Sequence, residues 1–277
     1  MDPASGYTQK RLIGIVGGLG PFAHVAFEQK ILAAARALLG AQADQDYPQW
    51  AVSSIPRTPD RTLALLGKGP SPVSAMVLSI ERLEAASGAG DGMPGGLFVC
   101  IPCITSHAFL PEVRRRVKAP VVDMVRETAR RIERQSPGAT VGILATSGTL
   151  KTRLFHEALA ERGLKPVSPL DLPDGEAIQR DRVMAAIYGP WKDGRHAGGG
   201  IKTAGPLPEH RKMLVDAAVA LVRSLGAAVV IAGCTEIPLA ITEPTIEGVP
   251  VADPVRILAE TAIREAYGLD DNAGCRR

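Results

Sequence analysis

The feature that most constrains the fold of this chain is an internal repeat of an apolar segment followed by small residues. The first copy, LIGIVGGLG, spans residues 12–20, and the second copy, TVGILATSGT, spans residues 140–149. Both copies lead into a segment with the pattern of a helix, so each predicts a strand, a tight turn and a helix. We therefore expect an α/β protein built from two similar halves with parallel sheets.

Each copy of the repeat is followed by a cysteine at the end of a further apolar segment. Residues 97–101, LFVCI, carry no charge and predict a strand buried on both faces, after which come Pro102 and Cys103. Residues 228–233, AVVIAG, lead in the same way into Cys234. Side chains just beyond the carboxyl ends of parallel strands lie where open α/β sheets bind ligands.

The spacing of the two cysteines is nearly equal in the two halves. Gly14 precedes Cys103 by 89 positions, and Gly142 precedes Cys234 by 92 positions. Two similar α/β halves tend to pack about a pseudo-twofold axis, and such an axis would bring the two cysteines face to face across one cleft.

The length of 277 residues allows one large domain or two small ones. We place the crossover before residue 119, which gives a first, discontinuous α/β domain of residues 1–118 and 243–277 and a second domain of residues 119–242. The active site is then expected in the cleft between the domains.

Composition excludes several classes of protein. The hydrophobic content of 45% is typical of a soluble globular chain, and a net charge of +3 with 4% aromatic residues does not indicate nucleic-acid binding. No apolar run is long enough for a membrane span, and the N-terminus lacks the pattern of a signal peptide. Four cysteines do not make a disulfide framework in a chain of this length. We therefore expect a cytoplasmic protein without nucleic-acid or membrane partners.

The turn at residues 17–20, GGLG, is a candidate for binding an anionic group. Its glycines allow close approach of a ligand, and Pro21 suits the first position of the following helix. Free N–H groups at this helix start, beside Gly18 and Leu19, suit a carboxylate. The pattern is not G-x-G-x-x-G, which disfavours a dinucleotide site, and a tight turn without a ligand is the alternative.

Two arginines in a polar loop are candidate carboxylate ligands. Arg57 and Arg61 lie in the segment PRTPDRT, residues 56–62, which follows a predicted strand. Arginine is the usual bidentate partner of a carboxylate. The alternative is a surface loop with ordinary arginines.

Further candidates lie near the cysteines and in a glycine-rich segment. A helix predicted from His107 to Lys118 would begin beside Cys103 and lower the pKa of its thiol. Residues 191–205 predict either a flap that closes onto the site or an inserted surface loop. Glu236 has two interpretations, one in which it orients the neighbouring thiol and one in which it is a helix cap or ion-pair partner. The candidate ligands in these regions are Thr105, Ser106, Thr146, Gly148, Thr149, Lys202, Thr235 and Glu236.

In combination these motifs resemble the aspartate/glutamate racemase family. In chain order they are GGLGP at residues 17–21, PDRT at 59–62, C-x-TSH at 103–107, AT-x-GT at 145–149 and GCTEIP at 233–238. The resemblance implies two similar α/β domains related by a pseudo-twofold axis, and a small amino acid or dicarboxylic acid as substrate. It also implies a homodimer that uses no pyridoxal phosphate, no other cofactor and no metal.

The resemblance implies that Cys103 and Cys234 work as a pair on opposite faces of the substrate's α-carbon. One thiolate removes the α-proton, and the other thiol returns a proton from the opposite side. Apart from the resemblance, inverting a stereocentre by proton exchange needs a group on each face that serves as base in one direction and acid in the other. The expected activity is therefore cofactor-independent racemisation of aspartate or a related acidic amino acid.

The sequence departs from the family's pattern in ways that leave the substrate open. Ile104 stands where the family usually has Asn after the first cysteine, so an apolar surface replaces an amide. Either Arg57 or Arg61 could bind a carboxylate, with Arg61 favoured by its motif, and the segment around residues 191–200 is longer than usual. The alternatives are a decarboxylase or isomerase of a small dicarboxylic acid, and a non-catalytic protein that binds a small acid.

A metal or redox site at Cys100 and Cys103 is disfavoured. The C-x-x-C spacing with His107 nearby could be half of a zinc site, but further ligands at suitable spacing are lacking. Cys100 lies within an apolar segment, which predicts a small core residue.

Overall fold

The computed structural model describes residues 6–87 and 95–270. Most of a glycine-rich link predicted at residues 88–96, and the tail that contains Cys275, lie outside the described residues. The α/β fold with two similar, mainly parallel sheets is confirmed.

Ten strands in the described residues form two larger sheets and a hairpin. The first sheet has the parallel order β2-β1-β3, the second has the order β5-β4-β8-β10-β9 in which only β9 is antiparallel, and β6 and β7 form the hairpin. The strands are β1 (Leu12–Gly17), β2 (Trp50–Ser54), β3 (Leu97–Cys100), β4 (Thr140–Ala145), β5 (Lys165–Val167), β6 (Trp191–Lys192), β7 (Arg195–His196), β8 (Val229–Gly233), β9 (Thr245–Ile246) and β10 (Val249–Ala252).

The helices cover both faces of these sheets. A π-helical turn, Gln179–Met184, joins α8 to α9. A search of the described helices finds none with the length and apolar character of a membrane span. The helices are α1 (Pro21–Leu39), α2 (Arg61–Leu65), α3 (Val73–Ala86), α4 (Leu110–Arg114), α5 (Met124–Gln135), α6 (Ser147–Lys151), α7 (Leu154–Ala160), α8 (Gly175–Ile178), α9 (Ala185–Tyr188), α10 (Ile201–Ala204), α11 (Pro208–Leu225), α12 (Ile237–Ala240) and α13 (Pro254–Tyr267).

The internal repeat of the sequence corresponds to the same order of strands in the sheets of the two halves. Val121 forms a parallel bridge to Val99, so the first sheet reads β2-β1-β3-Val121 and matches β5-β4-β8-β10 of the second. The first strand of each repeat, β1 or β4, carries a glycine that packs against a leucine. That leucine belongs to the helix that precedes the cysteine strand of the same half. A β-carbon at Gly14 would lie 3.3 Å from Leu83 of α3, and one at Gly142 would lie 3.0 Å from Leu221 of α11. The repeated glycine therefore permits the same close helix–sheet packing twice.

The two halves exchange helices. α5 follows the first sheet but packs on α7 of the second half, α13 follows the second sheet but packs on α1 of the first half, and α5 and α13 pack on each other. One core cluster consequently contains Phe27 and Phe98 from the first half together with Phe155 from the second. Burying side chains of this size contributes about 1.5–3 kcal/mol each.

This exchange affects the predicted domain crossover. Val121 pairs with the first sheet although residues 119–242 were assigned to the second domain, and β10 pairs with the second sheet although residues 243–277 were assigned to the first. In each half, one more parallel segment joins the sheet before the chain crosses to the other half as a helix. This segment is the Val121 bridge in the first sheet and β10 in the second. The domain bounds themselves, residues 1–118 with 243–277 and residues 119–242, stay a prediction.

Local structure after Cys103 differs from the expected helix. Residues Ile104–Phe109 form a 3₁₀ turn, and α4 begins only at Leu110, with Pro111 in its first turn. Proline is favoured at a helix start and cannot donate within a longer helix, which is why the segment divides there. A long helix dipole therefore does not reach Cys103.

Candidate active site

Both cysteines line one small cavity at the carboxyl ends of the cysteine strands. Cys103 is 6% exposed and Cys234 is 5% exposed. The cavity encloses about 290 Å³ of empty space, part of which is open to solvent. Its lining consists of Asp60, Arg61, Thr62, Cys103, Ile104, Thr105, Thr146, Tyr188, Lys202, Cys234, Thr235 and Glu236.

The backbone of Cys103 is fixed by hydrogen bonds to its carbonyl oxygen. Ser106 Oγ donates to it at 2.5 Å, and His107 Nδ1 lies 3.0 Å away. His107 Nε2 accepts from the N–H of Met124 at 3.1 Å, so Nδ1 carries the proton and donates. Burial lowers the pKa of His107, which keeps the ring neutral as this arrangement requires. His107 thus ties the Cys103 loop to the start of α5.

Arg61 places a positive charge beside Cys103. Its Nη2 donates to the carbonyl oxygen of Leu19 at 2.6 Å and its Nη1 to that of Pro59 at 3.1 Å, while the buried Nε has no hydrogen-bond partner among the described residues. Burial alone would lower the pKa of Arg61, but the neighbouring Cys103 and Asp60 outweigh it and the pKa is raised. The guanidinium therefore stays charged, and its Nε–H is unpaired within the described residues.

Cys234 belongs to a buried chain of three charged or polar groups. Its thiol donates to Glu236 Oε2 at 2.9 Å, and Glu236 Oε1 accepts from Lys202 Nζ at 2.6 Å. Burial and the Glu236 carboxylate raise the pKa of Cys234 well above its usual value. Burial also acts to raise the pKa of Glu236, but Lys202 and the hydrogen bonds outweigh it and that pKa is lowered. Cys234 is therefore held as a neutral thiol against a carboxylate.

Lys202 reaches the site from the segment that was predicted as a flap. Residues 191–205 fold as the β6–β7 hairpin and the short helix α10, which carries Lys202. Burial acts against its charge, but Glu236, the two cysteine thiols and Tyr188 hold the pKa of Lys202 above its usual value. Closure of this segment over a ligand stays a prediction.

The glycine turn after β1 positions side chains and does not line the cavity itself. Gly18 has φ 84°, and a β-carbon there would lie 2.5 Å from the carbonyl carbon of Ile55. Leu19 supplies the carbonyl that Arg61 binds. Gly20 has φ 145°, and a β-carbon there would lie 2.9 Å from Glu236 Oε1. The turn after β1 in the first half therefore needs a glycine where it passes the Lys202–Glu236 ion pair of the second half.

A cluster of hydroxyl groups joins the two halves under the cavity. Thr105 Oγ1 lies 2.9 Å from Thr149 Oγ1 and 3.4 Å from Thr146 Oγ1, and the latter two lie 3.1 Å apart. Thr105 and Thr146 line the cavity, whereas Thr149 lies behind them. Thr235 lines it as well, and its hydroxyl donates to Glu236 Oε2 at 3.1 Å.

Besides Gly18, Leu19 and Thr149, three more of the sequence candidates lie away from the cavity lining. Arg57 is exposed on the loop, and Ser106 is fully buried against Cys103. Gly148 faces the side chain of Thr62, which a β-carbon at this glycine would approach to 3.0 Å. Arg61 is therefore the arginine of the polar loop that the fold brings to the two cysteines.

Sequence reasoning did not identify three of the side chains that line the cavity. Asp60 and Thr62 stand on either side of Arg61 in the quoted PDRT motif, so the motif itself was the available signal. Tyr188 ends α9 before Gly189, and nothing in its local pattern marks it. Burial raises the pKa of Tyr188, so its hydroxyl stays protonated and can donate a hydrogen bond.

The arrangement suits proton transfer at a carbon atom of an anionic molecule. It combines two thiols with two cations, Arg61 and Lys202, in a cavity mostly closed to water. In residues 6–87 and 95–270, no group of three or more His, Cys, Asp or Glu side chains could hold a metal ion.

Comparison with known proteins gives one family. A model described as Asp/Glu/Hydantoin racemase matches residues 16–262. The broad specificity amino-acid racemase RacX of Bacillus subtilis (strain 168) is 28% identical over 155 residues, which are 55% of this chain and 62% of that protein. The matched part thus spans less than two thirds of that relative.

Solved structures of racemases share the fold. Picrophilus torridus aspartate racemase superposes with a TM-score of 0.67 at 23% identity, covering 92% of this chain and 94% of its own. An aspartate racemase homologue from Pyrococcus horikoshii OT3 gives 0.65 at 24% identity, covering 93% and 99%. Glutamate racemase isoform RacE1 from Bacillus anthracis gives 0.55 at 16% identity, covering 95% and 84%.

Proposed function

Because the chain belongs to the Asp/Glu/hydantoin racemase family, we propose that it is a cofactor-independent amino-acid racemase that acts on aspartate or a related acidic amino acid. The observation that carries this proposal is that Cys103 and Cys234, from equivalent strand ends of two similar halves, line the same small cavity. Two thiols so placed can serve the two faces of one α-carbon.

The hydrogen bond of the Cys234 thiol suggests which cysteine starts in which role. Cys234 is hydrogen-bonded to Glu236 as a neutral thiol, so it is the acid in the direction that begins from this state. Cys103 then acts as the base and removes the α-proton, and Cys234 returns a proton from the opposite face. In the reverse direction the two roles exchange, as proton exchange at one carbon requires.

The cations stabilise the charge that develops when the α-proton leaves. In this proposal Arg61 binds the α-carboxylate, where the negative charge of the deprotonated substrate accumulates, and its unpaired Nε–H supports that role. Lys202 offsets the charge of Glu236 when Cys234 becomes a thiolate beside it. Removing one such donor in a closed site commonly costs about 2.7–4 kcal/mol of transition-state stabilisation.

Proton exchange in heavy water tests the proposal. Deuterium should enter the α-position of L- and D-aspartate without added cofactor, and Cys103→Ser or Cys234→Ser should each abolish racemisation. Cys100→Ala is the control, because Cys100 is buried in the core and does not line the cavity. Racemisation that persists in either serine variant would reject the two-thiol mechanism, and release of carbon dioxide from a malonate-type acid would identify a decarboxylase.

The homodimer and the cytoplasmic location belong to the same proposal. The dimer is supported by exposed apolar side chains on one part of the first half, Phe22 and Val25 of α1 and Val52 of the edge strand β2. Sedimentation velocity should show a mass of twice 29.2 kDa. Free thiols at Cys100, Cys103 and Cys234 suit a reducing compartment, which cell fractionation would test.

A further inference from the structure

A second, larger groove adjoins the cavity that holds the two cysteines. It encloses about 1300 Å³ of empty space, much of it open to solvent, against about 290 Å³ for the cavity. Asp60, Thr62 and Tyr188 line both spaces, so they form the wall between them. The side chains of Tyr188 and Thr62 interact within this wall.

Large apolar side chains form much of the groove lining, which also includes the charged side chains of Lys68, Glu176, Arg180 and Arg195. Leu63 and Trp191 are 46% and 50% exposed, and Leu66 and Met184 line the groove beside them. Exposed apolar side chains gathered in one concave place, next to a reaction site, are typical of a ligand-binding surface.

Ring contacts hold Trp191 in place. The His196 ring contacts the Trp191 ring edge-on, with centroids 4.9 Å apart, and stacks on Tyr188 at 5.4 Å. His196 Nδ1 also bonds to the carbonyl oxygen of Gly189 at 2.8 Å. The hairpin thus presents a rigid aromatic wall that begins at the cavity and continues along the groove.

Part of the groove lining comes from an irregular helical turn. Gln179 and Met184, the first and last residues of the π-helical turn, both line it. π-helical turns are rare and occur frequently at functional sites. Gln179 Nε2 donates to the carbonyl oxygen of Ala145 at 2.9 Å, which anchors the turn to the end of β4.

From this geometry we propose that the groove is a subsite for the side chain of the substrate, so that the enzyme also racemises α-amino acids with large, uncharged, apolar or aromatic side chains. The α-carbon lies between the cysteines, and the side chain displaces the contact between Tyr188 and Thr62 to reach the surface formed by Trp191 and Leu63. Ile104 adds an apolar side chain to the lining of the cavity, which matches the apolar surface of the groove. This inference rests on the proposed racemase activity.

Filling the groove tests the subsite against a matched control. kcat/KM is measured for racemisation of phenylalanine, tryptophan and aspartate by chiral chromatography. Leu63→Trp should lower the ratio of phenylalanine to aspartate activity at least 10-fold. Leu78→Trp, at a leucine of similar exposure (43%) on α3 outside the groove, should leave that ratio unchanged. Equal effects of the two substitutions, or an unchanged ratio in Leu63→Trp, would overturn the proposal.

A binding measurement separates this proposal from the activity on which it rests. Calorimetry with the intact chain should detect phenylalanine binding, and Trp191→Ala, at a half-exposed position, should weaken that binding. Racemisation of aspartate alone, with neither turnover nor binding of phenylalanine, would overturn the subsite and leave the racemase. Binding of phenylalanine that Leu63→Trp and Trp191→Ala both weaken, without α-proton exchange in any amino acid, would support the subsite and reject the racemase.

Discussion

Lys202 Nζ lies 2.6 Å from Glu236 Oε1, in an ion pair whose side chains are only 18% and 2% exposed. The lysine comes from the segment between α9 and α11, and the glutamate follows Cys234 by two residues. The second oxygen of the same carboxylate accepts the Cys234 thiol. A lysine that is remote in sequence therefore controls the electrostatic surroundings of one of the two cysteines.

Lys202→Met should lower kcat/KM about 100- to 1000-fold, in line with loss of a preorganised charge in a closed site. Lys202 holds the pKa of Glu236 below its usual 4.5 against the effect of burial. Without the lysine, only the hydrogen bonds from Cys234 and Thr235 oppose burial, so the pKa of Glu236 rises and the acidic limb of the pH–kcat/KM profile should move to higher pH. Lys192→Met, at an exposed lysine of β6, is the control. An unmoved acidic limb would contradict this account.

His107→Ala should destabilise the fold by about 1–3 kcal/mol, because it leaves the buried N–H of Met124 without an acceptor. Burial lowers the pKa of His107 below 6.5, so the folded chain binds fewer protons than the unfolded chain in that range. The stabilisation by the neutral ring is therefore full above pH 6.5 and declines as the pH falls through the folded-state pKa.

Melting temperatures of the wild type and His107→Ala measure this effect. Their difference should be large at pH 7.5 and smaller at pH 5. Because the Cys103 carbonyl loses its hydrogen bond from His107, kcat should fall more than KM rises. His107→Asn can offer an acceptor to the N–H of Met124, so it should restore part of the lost stability. A difference in melting temperature that grows on acidification would show that the ring is charged in the folded chain.

Gly20→Ala should impair both stability and activity. Its φ of 145° is strained for a residue with a β-carbon, at a cost of about 1–3 kcal/mol, and the added atom would lie 2.9 Å from Glu236 Oε1. Gly40→Ala is the matched control, since Gly40 has φ 73° at the end of α1 with no atom within 4 Å of an added β-carbon. Denaturation should show a loss for both variants, but the racemase assay should show a loss only for Gly20→Ala.

Ile104→Asn should shift selectivity toward acidic amino acids. Ile104 is 2% exposed and lines the cavity, so an amide there would offer a polar contact to a carboxylate-bearing substrate. Without substrate the buried amide lacks a partner, and the free enzyme should be about 1–3 kcal/mol less stable. The measurement is the ratio of kcat/KM for aspartate and phenylalanine, and a ratio that stays constant or falls would show that Ile104 does not select the substrate.

Much of the fold was present in local sequence patterns. The apolar segments with small-residue turns predicted β1 and β4, Pro21 marked the start of α1, and Asp253 caps α13 through the N–H groups of Val255 and Arg256. Such signals are readable because strand burial, helix starts and caps depend on residues close together in the chain. The helix expected at residues 107–118 is shorter than predicted, because α4 begins at Leu110, with Pro111 in its first turn, and ends at Arg114.

The sequence by itself determined two similar α/β halves and a cysteine at an equivalent strand end of each, because hydrophobic periodicity and turn residues act locally. Only the tertiary structure decided the exchange of α5 and α13, the partner of Glu236 and the place of Tyr188 between cavity and groove. These features join residues that are remote in sequence. No local pattern encodes them, because the packing of the two halves sets which side chains meet.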